Sequence, residues 1–343
     1  MAYTTINKST DYFNTKLYTG NGSAGHSITG VGFQPDFVWA KQRGGASGHH
    51  LYDALRGVTK RIRSDTNGAE TTASTGLTAF GTDGFTVGVD SGVNSNGGTM
   101  ASWNWKANGA GSANTDGYTN STVSVNTTAG FSIVKYTGTG SQTTVGHGLG
   151  VVPDMMIIRN LSSTEDWSVY HSANGAGYYQ ALNTTEASSS NNNRFNVAPT
   201  SSVFTVNTHH SVNKSGDNHI AYCFAGKTGY SKALSWTANN NNDGVFLYTG
   251  FAPSFFIFKT SNNTRDWVIV DNKRVGYNVI SKNLRANNAN AESNNDPNGV
   301  CDFLSNGIKF RTDSSDFAGT ASLIGFAFGQ SLVGSNNVPC TAR

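Results

Sequence analysis

Pro35, Pro153 and Pro253 each open an apolar run that ends, six residues on, in a basic side chain: Lys41, Arg159 and Lys259. Fourteen residues after each proline a second strand-like run begins, at His49, Trp167 and Trp267. Another block follows in the same order: Phe85-Thr-Val87, Phe204-Thr-Val206 and Ile308-Lys-Phe310. Each is followed 18 residues later by the first of two aromatics, Trp103/Trp105, Tyr222/Phe224 and Phe326/Phe328. Matched gap-free spacings of this kind mark a triplicated chain, which has to fold as three like units. Upstream, Tyr18-Thr-Gly20 and Tyr136-Thr-Gly138 stand 17 residues before their prolines, whereas Tyr248-Thr-Gly250 stands five before Pro253. That spacing predicts that the third copy has lost a hairpin.

The runs Phe37–Ala40, Met155–Ile158 and the stretch after Pro253 are apolar on both faces, the pattern of strands covered on both sides. A proline is tolerated at the start of such a strand, where its missing N–H costs nothing. In the closing strand, Trp103/Trp105, Tyr222/Phe224 and Phe326/Phe328 alternate with Ser102/Asn104, Ala221/Cys223 and Gly325/Ala327. The expectation is that the aromatic face fills the core of each unit, three separate cores in all, while the small face admits a neighbouring sheet or chain. About seven or eight short strands per copy predict an all-β chain of three tandem β-sandwich repeats. The expected bounds are an arm at 1–11, repeats at 12–107, 129–226 and 244–330, linkers at 108–128 and 227–243, and a tail at 331–343. Within the first linker, Ser121 to Asn126 alternates enough to add a strand.

Charged residues make up 13% of the chain, about half the usual share, and the net charge is only +3. Asn, Ser, Thr and Gly fill the deficit, which favours turns and strands over helices. No basic cluster interleaved with aromatics argues for nucleic acid. No leader or membrane-spanning run is apparent, and Met1 to Thr10 is polar. The three cysteines, Cys223, Cys301 and Cys340, cannot all pair with one another. Cys223 lies in an apolar strand and reads as a buried thiol of a protein folded in a reducing cytoplasm.

Most of the chemistry-bearing residues read as structural. Glycoside hydrolysis needs two carboxylates across a cleft, but Glu70, Glu165, Glu186 and Glu292 fall at no matching repeat positions. Asp53 and Asp271 match, each with an arginine three residues on (Arg56, Arg274), which reads as a loop salt bridge. The second copy has His171 and Asn174 there. The pairs His49-His50 and His209-His210 point to opposite strand faces and make no metal site. Walker, GxSxG and dinucleotide-binding patterns are missing, and Gly30-x-Gly32 and Gly148-x-Gly150 read as hairpin glycines. The expectation is therefore a non-enzyme without metal or cofactor. A sandwich with polar loops suits glycan binding, and Tyr178, Tyr179, Trp236 and Tyr277, outside the repeated pattern, are the candidate platform. Trp167 and Trp267 hold equivalent positions and read as core.

The blocks Tyr-Thr-Gly, Pro-Asp-x-Val/Met, Gly-Phe-Thr-Val and the terminal Asn336-x-x-Pro-x-Thr-Ala-Arg343 resemble structural proteins of marine bacteriophages, notably cyanophages and pelagiphages. Asp243-Gly-Val-Phe-Leu-Tyr-Thr-Gly-Phe251 and Asp302-Phe-Leu-Ser-Asn-Gly-Ile-Lys309 carry the likeness most specifically, and it extends over essentially the whole chain. The resemblance implies jelly-roll or concanavalin A-like sandwiches in a virion protein. It points first to a tail-fibre-like, host-facing appendage, then to a capsid decoration or head-fibre protein, and distantly to a polysaccharide-degrading enzyme. The expected partners are other virion proteins through the N-terminal arm, a host glycan, and further copies of the chain, a trimer being the first expectation.

Overall fold

The computed structural model describes residues 4–294, 299–314 and 321–331. It is all-β, built of several antiparallel sheets, and the three copies share one strand plan.

In copy one, the strands are β1 (Phe13–Thr19), β2 (His26–Thr29), β3 (Phe37–Gln42), β4 (His49–Asp53), β5 (Lys60–Arg61), β6 (Thr71–Thr72), β7 (Leu77–Gly81), β8 (Gly84–Val87) and β9 (Thr99–Trp105). They form a main sheet β1-β9-β3-β4, a small sheet β2-β8-β7 and a β5-β6 ribbon, with a helical turn α1 (Ser91–Asn94) before β9. Copy two adds β10 (Ser112–Asn114) and β11 (Ser121–Asn126) ahead of β12 (Phe131–Thr137), β13 (Thr143–Gly146), β14 (Met155–Asn160), β15 (Ser168–His171), β16 (Tyr178–Tyr179), β17 (Ser189–Ser190), β18 (Val203–Val206), α2 (His210–Asn213) and β19 (Asn218–Phe224). Its main sheet runs β10-β11-β12-β19-β14-β15 and its small sheet is β13-β18. Copy three comprises β20 (Ser231–Thr237), β21 (Phe246–Tyr248), β22 (Pro253–Thr260), β23 (Val268–Asp271), α3 (Asn272–Val275), β24 (Leu284–Arg285), β25 (Cys301–Leu304), β26 (Gly307–Phe310) and β27 (Ser322–Gly329). Its sheets are β20-β27-β22-β23-β24 and β21-β26-β25.

Strand register corrects the reading of copy three. Phe13 pairs with Trp105, Phe131 with Phe224 and Ser231 with Phe328, so β20 is the equivalent of β1 and β12. Trp236 therefore holds the place of Tyr18 and Tyr136, and it too stands 17 residues before its proline. No hairpin is lost, and the stretch expected as a linker at 227–243 carries a strand of the third main sheet. Tyr248-Thr-Gly250 is a look-alike that begins in β21. The true third copy of the motif is Trp236-Thr-Ala238. The glycine is needed only where a helical turn packs: a Cβ on Gly20 would collide with the Ser95 carbonyl beyond α1, and one on Gly138 with the Lys214 carbonyl beyond α2.

The larger correction concerns the core. Trp105, Phe224 and Phe328 do not lie in three separate cores. Their rings meet one another at 5.8–6.3 Å between centroids. One buried cluster takes in Phe13, Phe37, Phe131, Met155, Ile157, Phe255 and Ile257 from all three main sheets. Only about 20 Å³ stays open at its centre, with an apolar lining, so the space is the size of one water yet offers it no partner. The small faces of β9, β19 and β27 turn inward to each copy's own second core. There Ala221 and Cys223 pack with Tyr136 and Phe204, and Ala327 packs with Phe256 and Phe258. These strands are thus buried on both sides, like the proline-led strands beside them in each main sheet. Of the two neighbours expected for this small face, a sheet or a chain, it meets the sheet, and it is fully buried inside each copy.

The copies close into a ring through equivalent contacts. Backbone N–H groups of Glu70, Ser188 and Glu292 donate to the carbonyls of Leu161, Ser261 and Arg43, at 2.9, 2.7 and 2.8 Å. These bonds link copy one to two, two to three, and three back to one. The repeated cations do the same with their ammonium or guanidinium groups. Lys41 reaches the Ala289 carbonyl, Arg159 that of Gly68, and Lys259 that of Thr185. All three are fully buried. Burial pulls Lys41 and Lys259 down to about 8 and Arg159 down to about 10. Trp167 and Trp267 are indeed core residues, and their indole N–H groups donate to the Arg63 and Ala181 carbonyls of the preceding copy.

The described part of the arm is also built in. Ile6 is buried in the shared core, and a 3-10 turn at Ser9–Asp11 leads into β1. Residues 1–3, Cys340 and the terminal Asn336–Arg343 motif lie outside the described residues.

Candidate functional site

Four of the carboxylates singled out in the sequence, Asp53, Glu70, Asp271 and Glu292, are engaged by buried arginines. Arg56 donates from Nε to Asp53 Oδ2 at 2.5 Å and from Nη1 to Glu70 Oε2 at 3.0 Å. Arg274 binds Asp271 and Glu292 in the same way, at 2.6 and 3.2 Å. Glu70 and Glu292 thus do occupy matching places, hidden from the spacing because the loop after β23 is longer than the one after β4. Each carboxylate pair clamps an arginine whose side chain is at most 1% exposed. Neither pair faces across an open cleft. Among the described residues there is no cluster of three or more His, Cys, Asp or Glu suited to a metal.

The histidines are likewise structural. Trp39 Nε1 donates to His49 Nδ1 at 2.8 Å, and His209 caps α2 by accepting from the Ser211 N–H at 3.1 Å. Burial holds His49 down to about 3, and burial with the nearby Arg194 charge holds His209 down to about 4. Cys223 and Cys301 are buried free thiols, with burial pushing Cys223 up to about 12.

The four aromatics expected as a sugar platform are dispersed. Trp236 is part of the repeat and packs on Phe256, Phe258 and Phe310 at 5.4–6.0 Å. Tyr179 lies under the Arg194 guanidinium at 3.5 Å, with Tyr178 beside it on the same short strand and 43% exposed. Tyr277, 72% exposed, lines a small cavity of about 70 Å³ with Asn272, Asn278 and Gln330. Among the described residues, no two of the four are in ring contact.

A different place draws aromatic and polar groups together. A groove of about 430 Å³ lies where the β19–β20 turn meets the small sheet of copy three, lined by Asp154, Lys227, Thr228, Lys232, Tyr248 and Thr249. Two edge strands border it, β20 of the main sheet and β21 of the small one. Leu247 of β21 points into the copy's own core, so the residues on either side of it, Phe246 and Tyr248, point outward. They are 44% and 57% exposed. Lys232 donates from Nζ to the Tyr248 carbonyl at 2.9 Å and stands 5.3 Å from the centre of its ring. Asp154 accepts the Gly226 N–H at 2.8 Å, which fixes the turn.

The register shows how unusual this face is. Opposite Phe85, Phe204 and Ile308 stand Ile28, Val145 and Leu247, all buried. Phe246 is therefore the counterpart of Ser27 and Thr144, and Tyr248 of Thr29 and Gly146. On the neighbouring strand, Lys232 is the counterpart of Asn14 and Ser132. Positions that are small or neutral in two copies become two exposed aromatics and a lysine in the third. The fold demands none of these three, since the same fold is built twice without them. The sequence did hold the signal, but Tyr248 was absorbed into a false match with Tyr18.

These features define an all-β protein of antiparallel sheets whose most individual surface is an aromatic-edged polar groove. The chain belongs to the family described as Domain of unknown function (DUF7483), whose model matches residues 8–329. That match runs from the 3-10 turn to the end of β27, so the family's unit is the closed ring of three and not the single copy. No curated protein and no solved structure matches the chain.

Proposed function

We propose that this protein is a bacteriophage virion component, a tail-fibre-like and host-facing appendage that binds cell-surface glycans without cleaving them. The three units are taken as jelly-roll or concanavalin A-like sandwiches fused into one ring, in keeping with the resemblance carried by the repeated blocks. The observation that carries the binding role is the paired aromatic face of Phe246 and Tyr248 beside a polar groove, present in one copy and missing from its two counterparts. Sugars stack their C–H faces on exposed aromatic rings while amides, hydroxyls and charged groups take their hydroxyls, and this groove offers both. The absence of catalysis is supported by the carboxylate pairs, which are spent on buried arginines. A threefold arrangement within one chain also suits attachment to a threefold-symmetric virion part.

Fluorescently labelled protein added to host cells, with purified surface polysaccharide as competitor, tests this reading. Surface staining that the polysaccharide abolishes, and that is lost in the double variant Phe246→Ser/Tyr248→Thr, is expected. Staining indifferent to both would overturn it.

A further inference from the structure

The groove carries an excess of positive charge, and its placement bears on the class of saccharide. Lys227 and Lys232 line it against a single carboxylate, Asp154, which is already engaged with the Gly226 N–H. Lys232 uses one of its three N–H donors on the Tyr248 carbonyl, leaving two to face the groove. That bond also holds the ammonium over the Tyr248 ring, 5.3 Å from its centre. A sugar ring laid on Tyr248 would therefore have its substituents within reach of Lys232.

We infer that the ligand of this groove is an acidic saccharide, a uronate-type or sulfated sugar whose anionic group pairs with Lys232 while its ring stacks on Tyr248. The inference rests on the glycan-binding reading above and narrows it to a charge class. A neutral sugar gains only a hydrogen bond from a lysine at this position, whereas an anionic group adds a charge pair, and Asn14 and Ser132 show that the strand does not need a lysine here. Lys227 adds a second positive charge to the turn side of the groove, so longer acidic chains gain along their length.

Calorimetric titration of the full chain with polygalacturonate, carrageenan and dextran oligomers, at low and high salt, tests the assignment. The acidic oligomers are expected to bind at least about tenfold more tightly than dextran, the scale of one charge-assisted contact, with affinity falling as salt rises. Lys232→Gln should lose about tenfold on the acidic oligomers, and Lys232→Arg, which keeps the charge, should lose little. Dextran binding as tightly as the acidic oligomers, with Lys232→Gln unaffected, would overturn the charge assignment and leave glycan binding intact. No binding of any oligomer would remove both.

Discussion

The hydroxyl of Tyr222 donates a 2.7 Å hydrogen bond to Asp53 Oδ2 across the boundary between copies two and one. Its counterpart Trp103 donates from Nε1 to Asp271 Oδ2 at 3.1 Å, from copy one to copy three. The third position of the set is Phe326, which has no donor. There the facing residue is His171 instead of aspartate, and its Nε2 donates to the Gly325 carbonyl at 3.2 Å. Residues far apart in sequence are thus matched at these three positions, each donor meeting an acceptor across its boundary. Tyr222→Phe should leave Asp53 short of one donor and cost about 1–3 kcal/mol in urea unfolding. A change under about 0.5 kcal/mol would show the bond to be incidental.

The glycine of the Tyr-Thr-Gly motif should be irreplaceable in two copies only. Gly20→Ala and Gly138→Ala each drive a methyl into a backbone carbonyl, and a loss of roughly 1–3 kcal/mol is expected in thermal unfolding. The third copy already carries Ala238. Tolerance of alanine at both sites would mean that the turns beyond α1 and α2 sit elsewhere.

Acid should weaken the fold early. His49, His50 and His209 are held down to about 3, 4 and 4, chiefly by burial, so between those values and the ordinary 6.5 the unfolded chain binds protons that the folded chain refuses. Stability therefore rises with pH through this window, and the histidine contribution levels off above about 6.5. Melting temperatures are expected to fall as the pH drops from 6.5 to 4. His209→Asp, which installs the capping residue that α1 has in Asp90, should flatten part of that fall. A melting temperature constant down to pH 4 would contradict the assignment of neutral buried histidines.

Much of this was legible beforehand, and the failures have physical causes. The repeat, the strand-rich class and the extra strand at Ser121–Asn126 follow from spacing and alternation, which the backbone imposes locally. The use of the aromatic face was misjudged because alternation tells that two faces differ, not which neighbour covers each. Phe224 could have faced its own copy's small sheet, and only the closure of three sheets gives it Trp105 and Phe328 instead. The site was missed for a related reason. Tyr248 looks like a repeat residue in sequence, and its individuality emerges only when β21 is registered against β2 and β13.

All of this depends on the three copies sharing one core. Trp105→Ala removes a ring that contacts Phe224 and Phe328 alike, and a loss of roughly 3–5 kcal/mol is expected. The direct test is calorimetry of the full chain, wild type and Trp105→Ala side by side. A single cooperative transition that moves as a whole in the variant is the predicted result. Two or three resolved transitions, of which only one moves, would contradict the ring.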